Sequence, residues 1–197
     1  MTTLTEQILE YGARIPEGRP LAAKELLHLG NRAAVDQALS RLVQRGRLIR
    51  SGRGLYVHPI ESRFGVRAPS PEKVVAEMAQ SRGEVIAPHG AVAANALGLT
   101  TQVPMRMKYL TSGRNRRLHL GAQTIEFEHA PRWMLTHVGR QSGEVVRALA
   151  WAGPQRAQEA LVKIKPRLSE EVREELVKSR ASLPEWLAKA ICLELVA

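Results

Sequence analysis

Along the first 45 positions the apolar residues recur at helical spacing, and after that the period changes. Leu4, Ile8 and Leu9, with Tyr11, share one side of a helix opened by Thr2 or Thr3, which Gly12 and Pro16 bring to an end near Ala13. Arg19 and Pro20 lead into a predicted short second helix with Leu21, Ala23, Leu26 and Leu27 as its apolar set, stopped at Gly30. Asn31 follows as an N-cap. A third helix, Arg32 to Arg45, places Val35, Ala38, Leu39, Leu42 and Val43 on one stripe and ends at Gly46. Beyond Gly46 the pattern is extended. Arg47 to Arg50 and Leu55 to His58 predict the two strands of a hairpin turning at Ser51-Gly52-Arg53-Gly54, before Pro59. Three short helices followed by a hairpin is the order of a winged helix-turn-helix.

Residues 63 to 70 carry Gly65 and Pro69 and no helical stripe, which predicts a linker between an N-terminal domain at 1–62 and a C-terminal domain at 71–197. Ser70-Pro71-Glu72 then opens a helix by cap, N1 proline and acidic first turn. Glu84 to Ala87 and Met105 to Thr111 read as strands, Gly90 to Leu97 as a small-residue helix, and Leu118 to Leu120 with Thr124 to His129 as a hairpin turning at Gly121-Ala122. Four helices close the chain, at 142–152, 154–163, 169–179 and 184–196. The predicted class is α+β, a winged helix-turn-helix followed by a mixed domain ending in helices.

Composition narrows the partners. The 197 residues hold 29 Lys and Arg against 19 Asp and Glu, a net charge of +10, which favours polyanions. The charge is concentrated: from Arg32 to Arg67 there are eight Arg and no Lys, opposed only by Asp36 and Glu61. Cys192 is the single cysteine, so no internal disulfide forms, and no signal-like or membrane-length apolar run occurs, which together suggest a cytosolic protein.

On a helical wheel the face of the third helix opposite Leu39 carries Ala33, Gln37, Ser40, Arg41 and Gln44. Gln pairs bidentately with adenine and Arg with guanine, and a small Ala permits close approach or touches a thymine methyl. These five are the candidate base readers. Arg32, Arg45, Arg47, Arg50 and Arg53, at the helix ends and on the hairpin, are candidate phosphate contacts, with Asp36 opposing them. Duplex DNA is the expected partner, and a protein-interaction module with the same arginines solvated is the alternative.

Catalytic patterns are missing. The six histidines show no HxxxH or HExxH spacing, and there is no CxxC, Walker loop, GxGxxG or GxSxG; in Gly139-Arg-Gln-Ser-Gly143 the serine stands one place late for a nucleophile elbow. No cofactor or metal is expected, and no enzyme. Glu126 and Glu128, two apart on a strand with His129 beside them, suggest a metal-dependent nuclease or, more simply, a strand with one wet face. Arg114, Arg116 and Arg117 form a basic run suited to phosphates or an acidic partner, or to a solvated loop. Trp133, Trp151 and Trp186 read as core anchors of the helical end.

The runs Ala33-Ala-Val-Asp-Gln-Ala-Leu-Ser-Arg-Leu-Val43 and Arg50-Ser-Gly-Arg-Gly-Leu-Tyr56 resemble the winged helix-turn-helix of AbiEi-like antitoxins. The resemblance continues through Pro88-His-Gly-Ala, Leu97-Gly-Leu99, Tyr109-Leu-Thr-Ser-Gly113 and Ile125-Glu-Phe-Glu-His-Ala130, and so covers most of the chain. It implies a bacterial antitoxin of an abortive-infection, type IV toxin-antitoxin pair. Such a protein represses its own promoter by binding inverted repeats, while its C-terminal domain opposes a nucleotidyltransferase toxin without needing a stable complex.

Overall fold

The computed structural model describes residues 2–63, 65–103 and 105–196. They form a mixed α+β protein with eight α-helices and small sheets, divided into two compact units, residues 1–84 with 116–126 and residues 85–115 with 127–197.

In the first unit, α1 (Leu4–Arg14) opens with a capping box in which the Thr3 hydroxyl accepts from the Glu6 N–H while the Glu6 carboxylate accepts from the Thr3 N–H at 2.7 Å. The predicted second helix is instead a two-residue strand, β1 (Leu21–Ala22), followed by a single 3-10 turn, Ala23–Leu26. Between Pro20 and Gly30 there is little room for more. Leu21 and Ala23 alternate as a strand requires, and Leu27, counted in the apolar set, is exposed. α2 (Arg32–Gln44) matches its expected span; the Asn31 side chain accepts from the Ala34 N–H at 2.9 Å, and Gly46 at φ +67° carries the left-handed turn that ends it. β2 (Ile49–Gly52) and β3 (Leu55–Val57) form the hairpin, bulged between Arg50 and Gly52, and β1 adds to β3 to give the order β1-β3-β2. Ile8, Leu21, Leu26, Val35, Leu39, Leu42, Leu48 and Tyr56 make its core.

The 63–70 segment is not a bare linker. Ile60–Ser62 (β4) and Gly65–Arg67 (β5) pair antiparallel in a short exposed hairpin, and the compact units divide after Glu84, so that α3 (Pro71–Arg82) stays with the N-terminal elements. Lys73 of α3 bonds Glu17 at 2.8 Å.

The second unit begins with β6 (Ile86–Pro88), α4 (Gly90–Ala96) and β7 (Met107–Thr111), with β6 antiparallel to β7. The β8 (Arg116–Leu120) and β9 (Gln123–His129) hairpin turns at Gly121 as expected; β8 and β9 through Glu126 belong to the first unit, and the end of β9 runs beside β7 in the second. α5 (Gln141–Ala152), α6 (Ala157–Ile164), α7 (Glu170–Ser179) and α8 (Glu185–Leu195) then bury Val145, Leu149, Leu161, Leu176, Leu187 and Ile191 together. Trp133 and Trp186 meet edge to face at 6.4 Å beside this core, whereas Trp151 is exposed, with its Cβ beside Gly90 of α4.

Two polar features of this unit have stability consequences. Glu175 of α7 accepts from the Ser142 hydroxyl at 2.6 Å and from Arg140 at 2.5 Å, with His137 Nδ1 at 3.6 Å, and these donors hold its carboxyl below the ordinary glutamate pKa of 4.5. A carboxylate with a lowered folded pKa adds stability that is whole above the unfolded value and lost as pH falls through the folded one. Melting temperature should therefore drop more steeply below pH 4.5 in the native protein than in Glu175→Gln; parallel profiles would deny Glu175 this role. Arg147, 1% exposed on α5, has no hydrogen-bond partner for Nε or Nη1 among the described residues, and burial lowers its pKa. Arg147→Met should raise stability by about 1–3 kcal/mol, because an apolar side chain of similar length removes a desolvated charge. A fall in the melting midpoint would show that the charge is compensated.

Candidate nucleic-acid interface

The exposed face of α2 is built from its own periodicity. Val35, Ala38, Leu39 and Leu42 turn into the core, so Ala33, Gln37, Ser40, Arg41 and Gln44 are all left exposed on the opposite side, as the wheel predicts. One stripe holds the helix while the other stays free for a partner.

The arginines around this face differ in a way composition does not show. Arg32 donates from Nε to Asp36 Oδ2 at 2.8 Å. Arg41, Arg45, Arg47, Arg50 and Arg53 are exposed and, among the described residues, have no carboxylate partner. Arg41, Arg45 and Arg47 line one groove of about 780 Å³ with Gln37, the α1 residues Leu4, Thr5, Glu6 and Leu9, and Thr3 before them. The Thr3 and Thr5 hydroxyls on its far wall carried no sequence signal, since a capping residue reads as local structure.

The hairpin is less free than a wing drawn from sequence. Gly52 lies beside Leu118 and the Arg117 carbonyl, so β8 flanks β2, while the side chains of Arg50 and Arg53 stay exposed. His58 seals the other end: its ring packs on Gly12, and burial together with Arg47 pushes its pKa down, keeping it neutral.

The basic run 114–117 is divided. Arg116 is not a loop residue available to a ligand. It lies in β8 and makes a bidentate pair with Glu84, Nη1 to Oε1 at 3.1 Å and Nη2 to Oε2 at 2.5 Å, both side chains 15% exposed. Arg117, also in β8, is 68% exposed and reaches Glu126 at 3.2 Å, so Glu126 serves an ion pair. Arg114 is exposed in the loop before β8. Among the described residues no group of three His, Cys, Asp or Glu is placed to hold a metal, and no helix is long and apolar enough to cross a membrane.

An exposed polar helix face thus lies beside arginines that, among the described residues, have no carboxylate partner. The chain belongs to the family of unknown function DUF6088, whose model matches residues 7–176, from α1 into α7. No curated protein and no solved structure matches the chain.

Proposed function

We propose that α1, the 3-10 turn, α2 and the β2–β3 hairpin act as a winged helix-turn-helix that binds duplex DNA, with α2 in the major groove, and that the protein is a non-catalytic cytoplasmic repressor of its own promoter. The observation that carries this reading is the exposed polar face of α2 with Arg41, Arg45 and Arg47 lining one groove beside Gln37, and Arg50 and Arg53 exposed on the hairpin, none of the five having a carboxylate partner among the described residues. Exposed arginines at such a density create a positive potential that attracts a polyanion. Two copies on an inverted repeat would place two α2 helices about one or more helical turns apart.

The test is a fluorescence-anisotropy titration of the full chain with duplex from upstream of its own gene and with a scrambled duplex, over a range of salt. Binding to both at low salt, with the upstream duplex preferred, is the expected result. No binding even at low salt would leave the arginines as a protein-docking surface. Gln37→Ala should relax base preference at one position at a cost of about 1–3 kcal/mol while leaving scrambled-duplex affinity unchanged; equal losses on both duplexes would remove Gln37 from base reading.

The antitoxin half of the proposal is supported by the AbiEi-like sequence blocks. It holds that the second unit opposes a nucleotidyltransferase toxin. Co-expression with a nucleotidyltransferase encoded beside this gene should restore growth, and growth arrest despite expression of the chain would reduce the function to that of a regulator.

A further inference from the structure

Arg32 stands where helix physics does not want it. It is the first residue of α2, at the positive end of the helix dipole, and the first turn contains no acid. Its pair with Asp36 runs from cation to anion toward the C-terminus, the weaker of the two orientations for an i,i+4 pair, and both side chains are largely exposed, 61% and 48%. Local helix stability therefore gives little reason for either residue.

The geometry of the contact gives another. Only Nε of Arg32 bonds Asp36 Oδ2, at 2.8 Å, and among the described residues Nη1 and Nη2 have no partner. A guanidinium held by its Nε edge presents its two terminal nitrogens as a fork, the shape that meets O6 and N7 of guanine. On the wheel Asp36 lies between Arg32 and the Ala33, Ser40 and Gln44 face, so the bond draws the guanidinium from the flank of α2 toward that face. The N-terminal residues of a reading helix are also those that reach base edges.

We infer that Arg32 is a base reader for guanine rather than a phosphate contact, and that Asp36 is its positioning residue. The inference rests on the duplex-binding reading of α2. It also accounts for an acid on a surface that otherwise collects positive charge: Asp36 gives up general affinity and sharpens selectivity.

The experiment is selection of bound duplexes from a random library by the full-length chain, followed by titration of the enriched and a scrambled duplex with Arg32→Ala, Asp36→Asn and the native protein. The native chain should enrich a motif with an invariant G·C pair. Arg32→Ala should lose that preference, on the order of 10- to 100-fold in discrimination. Asp36→Asn should bind scrambled duplex several-fold more tightly yet discriminate less at the same pair. A purely repulsive acid would instead raise affinity for every duplex equally with the motif unchanged, and that result overturns the positioning role. An Arg32→Ala motif that keeps its guanine, or enrichment of no motif by a native chain that binds duplex, overturns the base-reading role alone. No duplex binding at low salt overturns the reading of α2 as well. Unchanged circular dichroism and melting of the two exposed variants exclude a folding effect.

Discussion

Replacing Arg41, Arg45 and Arg47 together by alanine is expected to flatten the salt dependence of duplex binding by about 2 in the log–log slope, since Arg45 and Arg47, as phosphate contacts, contribute roughly 0.9 each while Arg41 reads a base. At 0.1 M salt the same loss amounts to roughly 100-fold or more in affinity. The three are chosen because they line a single groove against α1, because none is spent on a carboxylate among the described residues, and because all are exposed, so their removal leaves the Leu39 core intact. Arg116→Ala is the informative control. It breaks a largely buried bidentate pair with Glu84 and should lower stability, yet it should leave the slope where it was. Titrations at four salt concentrations between 0.05 and 0.2 M, with circular dichroism of each variant, decide the matter. A triple variant with the native slope would show that the groove does not face the phosphates.

The parts of this fold that sequence reveals are those whose signals lie within a few residues of one another. α2 is legible because Asn31, the Val35–Leu42 stripe and Gly46 agree on one span, and the closing helices are legible for the same reason. β1 was hidden because Leu21, Ala22 and Ala23 satisfy both a strand and a helix, and the choice is made by Tyr56 and Leu55 across the ladder. β4 and β5 were hidden by brevity: three residues each, with Glu61 and Arg67 among them, carry no amphipathic signature. The composition of the α2 face was also legible, but the pairing state of its arginines was not. Asp36 bonds Arg32, one turn back on the same side of the helix, and leaves Arg41 on the other side without it. The Glu84–Arg116 pair, 32 residues apart, had no local signal at all.

Gly143→Ala should destabilise the second unit by about 3 kcal/mol, a backbone collision in a site without slack. A Cβ built on Gly143 falls inside the His137 carbonyl oxygen and 2.7 Å from that of Thr136, and neither atom is the tip of a flexible side chain. The turn cannot yield easily. His137 already sits at φ +51°, the one described non-glycine residue with positive φ, and Arg140 N–H donates to its carbonyl at 3.0 Å, while Glu175 binds Arg140 and Ser142 on the other side. Moving the first turn of α5 away would also loosen Val145 and Val146 in the core. Read as chemistry, the Gly139-Arg-Gln-Ser-Gly143 run suggests a misplaced nucleophile elbow. Its glycine is there so that α5 can start against the carbonyls of the preceding turn, and its serine so that α7 can hold that start. For a chain of this size the loss corresponds to roughly 10 °C in melting temperature. Gly46→Asn, at a left-handed position with nothing within 4 Å, is the matched control and should melt within about 2 °C of the native protein. Equal melting of Gly143→Ala and the native chain would mean that the 136–143 turn is free to move and that the Glu175 contacts do not fix it.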